Sequence, residues 1–348
     1  MNIVLKVKAW LRLFRAQTAP ATALVILVPY LAVGGARFLS WKTLALALYA
    51  TLLHWWTFGH NSLMDCAMGY DKKDPSKSHH PLLREDISLH DAHNTIHWGL
   101  ALLMVAGAVT STAIGANPLP ATACLLLYAA LGHAYNDGLS KETIHGWLPI
   151  SACFSALAGF GWFLGHTGIN WLGCAFLAYV FLTQVFEIGW EGNLKELAVA
   201  GQVERENLLR RMGATIQTYT PIVDQHETAW IPHYRFEPGS SRIFGLAVKM
   251  AAWTLASAII LAAQQALLII WWICLTAAVV AFLTFLTEPR EFNRPNELRA
   301  MSAMEIVSIY FPIPILVNWP VATVLMLAGI GYFYGMNRVI WGVDYPKV

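Results

Sequence analysis

Charge is scarce in this chain. Only 13% of its 348 residues are Asp, Glu, Lys or Arg, about half the share that covers a soluble domain. Cysteine is scarce too. Cys66, Cys124, Cys153, Cys174 and Cys274 are scattered with no CxxC spacing, so neither a disulfide framework nor a zinc site is read from them. An excess of one sign is also missing. A net charge of +2 is too small for a nucleic-acid surface, and no nucleic-acid partner is expected. There is no low-complexity tract and no long linker. The first residues are basic and amphipathic (Lys6, Lys8, Arg12, Arg15) but carry no small-residue cleavage site, so a cleaved signal peptide is not expected.

What fills the chain is apolar sequence, 57% hydrophobic with a mean hydropathy of +0.49. A bilayer core is crossed by about 20 apolar residues. Nine segments meet that length: Thr18 to Ala36, Trp41 to His60, Thr95 to Gly115, Leu119 to Tyr135, Trp147 to Leu164, Trp171 to Trp190, Ile243 to Ala263, Ala266 to Thr287, and Pro320 to Ile340. Met304 to Leu316 is apolar as well. It carries Pro312 and Pro314 and reads as a lead-in or as part of a kinked ninth helix. The pattern predicts an all-α, multi-pass integral membrane protein. It forms one domain over residues 1–348, with about nine transmembrane helices around a central cavity.

Basic residues set the orientation. Of the 23 Lys and Arg, only Arg37, Lys42, Arg338 and Lys347 fall on the side away from the N-terminus. The N-terminus and the loops after spans two, four, six and eight are therefore expected in the cytoplasm. The segment 191–242 is the one stretch with soluble character. Leu194 to Met212 has helical spacing with mixed charge, whereas Thr215 to Ser241 reads as irregular or extended. The loops after spans two, four and six are expected to cap the cavity on the cytoplasmic side.

Polar chemistry concentrates at that same face. Span two ends in Asn61, Asp65, Gly69 and Asp71, followed by Lys72 and Lys77. Residues four apart on a helix share a side, and a carboxylate at the mouth of a span is costly unless it is paired or binds a metal. Span six ends in Glu187 and Glu191, again four apart, with Gln184 before them and Asn193 and Lys195 after. Hard divalent cations such as Mg2+ take oxygen ligands and are often held by a few carboxylates plus substrate phosphates. Two such clusters at matching depth suit one diphosphate, with Lys72, Lys77, Lys141 and Lys195 as further phosphate ligands. A third polar piece, Tyr135, Asn136, Asp137 and Lys141, follows span four.

Together these residues resemble the UbiA superfamily of intramembrane prenyltransferases, over nearly the whole chain. Asn61, Asp65, Gly69 and Asp71 match the Asn-x-x-x-Asp-x-x-x-Gly-x-Asp spacing of its menaquinone-type branch. Ile87-Ser88 followed by Ala92 is similar to its Ile-Ser-x-x-x-Ala stretch, and Tyr135 with Lys141 to its Tyr-to-Lys piece after helix four. Leu11-Arg12-Leu13-Phe14-Arg15 is similar to the approach to its first helix. The chain departs from the family in three places. Ser62 stands where many members have Asp, His80 where Arg is common, and the second motif uses glutamates.

The resemblance implies transfer of an isoprenyl group from a prenyl diphosphate to a small aromatic or lipid-like acceptor. It implies Mg2+ at Asn61, Asp65, Asp71, Glu187 and Glu191, with Tyr135 as a hydrogen-bond donor in the reaction. Faces of Trp55, Trp56 and Trp147 could stabilise an allylic cation. A membrane-bound terpene cyclase would use the same ionisation and quench the cation internally. A transporter is the non-enzymatic alternative, but the polar groups crowd one face and no polar pathway crosses the bilayer. The twelve histidines raise a di-iron oxidoreductase reading, with His90, His93 and His97 on a helical repeat. The chain has no HxxHH, and His133, His145, His226 and His233 form no further box.

Overall fold

The computed structural model describes residues 3–32, 38, 40–73, 77, 79–139, 143–197, 207–223, 228–236, 239–263, 268–270, 272–274, 276–277, 279, 292–293, 308, 310 and 312–342. Its principal helices are α1 (Ile3–Leu13), α2 (Ala19–Leu31), α3 (Trp41–Ala67), α4 (Leu89–Ile114), α5 (Pro118–Ala134), α6 (Trp147–Gly165), α7 (Trp171–Gln184), α8 (Ser240–Ala263) and α9 (Trp319–Trp341). Helices α2 to α9 fall on eight of the nine apolar segments. The remaining one, Ala266 to Thr287, lies mostly outside the described residues.

The local signals for these helices are ordinary ones. Ser40, Ser88, Asn170 and Asn318 cap α3, α4, α7 and α9, each accepting from a backbone N–H three residues on. Pro118 and Pro120 sit in the first turn of α5, where a missing N–H costs nothing. By length and apolar content α4, α6, α7 with its continuation to Gly192, α8 and α9 are each able to cross a membrane, and the α1–α2 pair, bent by 53°, makes a sixth candidate. Helix α3 is long enough but its apolar run is diluted by His54, His60, Asn61 and Asp65. Helix α5 is only 17 residues long.

Helix α6 is the central post. Seventy-two per cent of its membrane window is buried, and it packs against α2, α5 and α7. It does so because it is lined with small residues, which let backbones approach closely. At Gly161 a Cβ would stand 2.3 Å from the carbonyl oxygen of Ile26 on α2, a contact only glycine permits. Helix α4 is the opposite case, with 17% of its window buried. Its Leu102, Val105 and Val109 face outward, an apolar surface that suits lipid and not water.

Of the two readings of Thr215 to Ser241, the described residues take the extended one. Strands β1 (Ala214–Val223) and β2 (Thr228–Phe236) form an antiparallel hairpin, with Ala214 opposite Phe236 and a register shift between Ile216 and Thr218. A short strand, β3 (Phe292–Asn293), pairs with β2. Buried Tyr234 and Phe236 belong to a second hydrophobic cluster with Phe186, Trp190, Ala256 and Ile260. Ser240 and Ser241 open α8, and the Trp190 indole N–H donates to the Ser241 carbonyl at 2.8 Å. Of the Leu194 to Met212 stretch, 198–206 lie outside the described residues, and Leu208–Arg211 is a single helical turn.

Candidate functional site

Two helices end in wide π turns, and both turns carry polar chemistry. Helix α5 runs on into Tyr135–Leu139 and kinks there at Gly138, whose backbone leaves helical geometry at φ 139°. Helix α7 runs on through Val185–Gly192. Such turns insert an extra residue into the helical ladder and often mark functional positions. The π turn of α5 contacts the end of α3, and α6 contacts both π turns. A Cβ on Gly189 would meet the Trp147 ring, at the first residue of α6, at 3.3 Å. The polar ends of α3, α5 and α7 therefore gather at one end of the bundle.

At the end of α3, Asn61 and Asp65 are half-buried and Asp71 is 7% exposed. Gly69, at φ 80°, turns the chain so that Asp71 folds back. Asp71 Oδ2 lies 3.8 Å from Nε2 of His80. Burial, with Lys77, Arg15 and His79 alongside, pushes the His80 imidazole down to about 3, so the ring is neutral at physiological pH. His80 thus lies buried beside Asp71 without a positive charge. Arg15 brings a charge nearby. It occupies the α1–α2 bend at φ 45°, with its carbonyl oxygen accepting from the Thr18 hydroxyl at 2.8 Å.

Asn61 is also oriented, by a hydrogen-bond relay. Its Nδ2 donates to Asn136 Oδ1 at 3.3 Å, and Asn136 Nδ2 donates to His60 Nδ1 at 3.0 Å. With Nδ1 accepting, the His60 proton is on Nε2, which faces Asp137 Oδ1 at 3.4 Å. Each amide is fixed by the next. The outcome is that Asn61 turns its NH2 toward Asn136 and presents its oxygen away from it.

On α7 the π turn carries both glutamates. Glu191 is 2% exposed and Glu187 half-buried. Gln184 Nε2 donates to Glu187 Oε2 at 2.5 Å. Next to this turn lies Lys249 of α8, only 3% exposed. Its Nζ donates to Ser308 Oγ at 3.1 Å and sits 4.1 Å from the Phe186 ring centroid.

The remaining residues singled out in the sequence are placed as follows. Lys72 is exposed, and Lys77 and Tyr135 are half-buried, with Tyr135 opening the α5 π turn. Lys141 lies outside the described residues, as does the side chain of Lys195. His90, His93 and His97 are exposed on α4. Arg15, His60, Asn136 and Lys249 are the polar neighbours that the sequence reading did not assign to the site. Lys249 had a signal, a lone cation inside an apolar helix. Asn136 had one as well, in the polar piece after span four, but its meeting with His60 had none, because the two meet across 76 residues of chain.

The donors offered by Asn61, Asp65, Asp71, Glu187 and Glu191 are all oxygens, the set that suits a hard ion. Asp71 and Glu191 are both buried, where a bound cation offsets the cost of desolvating a carboxylate. The residues therefore fit Mg2+ held together with phosphate oxygens.

A family model described as the UbiA prenyltransferase family matches residues 21–219. Among solved structures, a UbiA homolog from Archaeoglobus fulgidus bound to GPP and Mg2+ is similar at a TM-score of 0.60 and 16% identity, covering 90% of this chain and 99% of the other. A structure of a UbiA homolog from Archaeoglobus fulgidus bound to DMAPP and Mg2+ gives 0.57 and 15%, covering 88% and 98%. A structure of digeranylgeranylglyceryl phosphate synthase gives 0.52 and 16%, covering 93% and 98%. No curated protein matches the chain. At such identities the structural likeness speaks for the fold.

Proposed function

The chain belongs to the UbiA prenyltransferase family, and we propose that it transfers an isoprenyl group from a prenyl diphosphate to a small aromatic or lipid-like acceptor inside the membrane. The observation that carries this reading is the burial of Asp71 and Glu191, 7% and 2% exposed, at the polar ends of two membrane helices. Family membership supplies the chemistry such carboxylates serve, and solved relatives bind GPP or DMAPP with Mg2+.

In this reading Asn61, Asp65 and Asp71 hold Mg2+ on the α3 side, and Glu187 and Glu191 on the α7 side. Bound there, the metal neutralises charge growing on the leaving diphosphate. Lys72, Lys77, Lys141 and Lys195 hold phosphate oxygens, and Tyr135 donates a hydrogen bond to the same group. The allylic carbon–oxygen bond breaks, the prenyl carbon bonds to the acceptor, and the acceptor gives up a proton. Apolar helices keep water from the cation. The N-terminus and the site face the cytoplasm. About nine helices enclose the cavity, and the segment 191–242 helps to cap it.

The test is purified protein with Mg2+, labelled prenyl diphosphates and a membrane lipid extract, followed by mass spectrometry. Acceptor-dependent prenylated product with release of diphosphate supports the reading. A cyclised product made without acceptor would replace it with the cyclase, and substrate flux without diphosphate release with a transporter.

The relay behind Asn61 gives a further expected outcome. Asn136→Leu removes both hydrogen bonds of the relay, the one from Asn61 and the one to His60. The Mg2+ concentration for half-maximal diphosphate release should rise by about 10- to 100-fold, the usual cost of losing a group that orients a metal ligand. The rate at saturating Mg2+ should change far less. A Mg2+ titration of the variant against the parent protein checks this.

A further inference from the structure

Three helices deliver histidines to one place beside the Asn61 relay. The ring centroids of His60 (α3) and His133 (α5) are 4.6 Å apart, and His97 (α4) lies 6.1 Å from His60 and 6.4 Å from His133. Asp137 joins them from the α5 π turn. Its Oδ1 is 3.4 Å from His60 Nε2 and its Oδ2 is 3.7 Å from His133 Nδ1. One ligand atom each from His60, His133 and Asp137 lies within 4.8 Å of the others. Asp137 stands four residues after His133, so the two share a side of the chain, and that side faces His60 of α3.

We propose that His60, His133 and Asp137 bind a transition-metal ion of the Zn2+ class, and that its occupancy withdraws the Asn61 oxygen from the diphosphate site. The donor set is borderline-soft nitrogen plus one carboxylate, unlike the oxygen-only set of Asn61, Asp65, Asp71, Glu187 and Glu191. Imidazole favours Zn2+, Fe2+, Co2+ or Ni2+ over Mg2+. In a tetrahedral site with ligands at 2.0–2.1 Å, neighbouring ligand atoms are about 3.3 Å apart. Each histidine already stands 3.4 or 3.7 Å from one of the two Asp137 oxygens, and one ligand atom from each of the three residues lies within 4.8 Å of the others, so small side-chain turns close the site. His60 is 1% exposed, His133 29% and Asp137 52%, so the site has a buried anchor and an open mouth, and its fourth position goes to water.

The coupling follows from the direction of the relay. Without metal, the Nε2 proton of His60 faces Asp137, and Nδ1 accepts from Asn136. A neutral imidazole that binds metal through Nε2 carries its proton on Nδ1. The proton count is unchanged but the tautomer reverses. Asn136 must then offer its oxygen to His60, which turns its NH2 toward Asn61. Asn61 must answer with its own oxygen, the atom assigned above to Mg2+. This second half rests on that assignment, while metal binding itself does not.

Calorimetric titration of the purified protein with Zn2+, in millimolar Mg2+, should show one tight equivalent, and Co2+ should give the visible absorption of a tetrahedral site. His133→Ala and Asp137→Asn should each weaken binding by at least about tenfold, while His90→Ala, an exposed histidine outside the cluster, should not. Absence of a tight equivalent, or equal binding in His133→Ala and Asp137→Asn, would overturn the site. So would an equal loss in His90→Ala, which would mark binding to surface histidines. Zn2+ should also raise the Mg2+ requirement for diphosphate release in the parent protein but not in Asp137→Asn. Tight Zn2+ binding without that shift overturns the coupling. Because binding is read without turnover, failure of the site and failure of the proposed function are distinguishable.

Discussion

Asp71→Asn and Glu191→Gln are each expected to slow diphosphate release by about 10²- to 10³-fold, the loss typical of removing one preorganised group that stabilises developing charge. Both changes keep the shape of the side chain and remove only its charge. Both positions are buried, so solvent cannot replace the lost negative ligand. Raising Mg2+ should not restore the rate, in contrast to Asn136→Leu. The fold should survive, because a neutral amide is easier to bury than a carboxylate without its metal. Initial rates over a Mg2+ series, with thermal unfolding recorded without Mg2+, separate the two effects. A loss of rate that follows a loss of folded protein would make these carboxylates structural.

The largest stability effect is expected at Gly161. Gly161→Val places a Cβ 2.3 Å from the Ile26 carbonyl oxygen and 2.9 Å from its carbonyl carbon and Cα. These are backbone atoms of α2, which cannot rotate away as a side chain can. Helices α2 and α6 must separate, opening the packing around Ile26, Leu157 and Phe160, all fully buried. Overpacking of this kind costs about 1–3 kcal/mol, and more where backbone must move. Gly132→Ala is the contrast. There a Cβ meets only the side chains of Cys153 and Trp56, at 3.6 Å or more, which is ordinary contact. Thermal unfolding in detergent, read by tryptophan fluorescence, should show a clear drop for Gly161→Val and little change for Gly132→Ala.

The helices were legible because apolar runs of membrane length have few alternatives. Ser40, Ser88, Asn170 and Asn318 cap four of their starts, a signal that hydropathy alone does not carry. The carboxylates of Asp65, Asp71, Glu187 and Glu191 stood out for the same reason, since charge is rare in such a chain. The π turns were not legible. A widened turn leaves no mark in a hydropathy pattern, yet the one at Val185–Gly192 carries both glutamates. The relay from Asn61 through Asn136 to His60 was hidden because it joins residues 75 and 76 apart. Lys249, a lone cation inside an apolar helix, is buried between Ser308 and the Phe186 ring, and those partners leave no mark in the sequence. The hairpin of β1 and β2 was visible only as an extended tendency, because its β-branched and aromatic residues are interrupted by Pro221 and Pro232.

The central claim is that the α3 and α7 clusters hold one diphosphate through shared Mg2+. Equilibrium binding of a non-reactive prenyl thiolodiphosphate tests it most directly, in the parent protein, Asp71→Asn, Glu191→Gln and the double variant. If both clusters grip the same group, either single change removes most of the Mg2+-dependent affinity and the double variant is scarcely worse. Interacting residues are expected to be non-additive in this way. Single losses that simply add, or Mg2+-dependent binding that survives in the double variant, would contradict it.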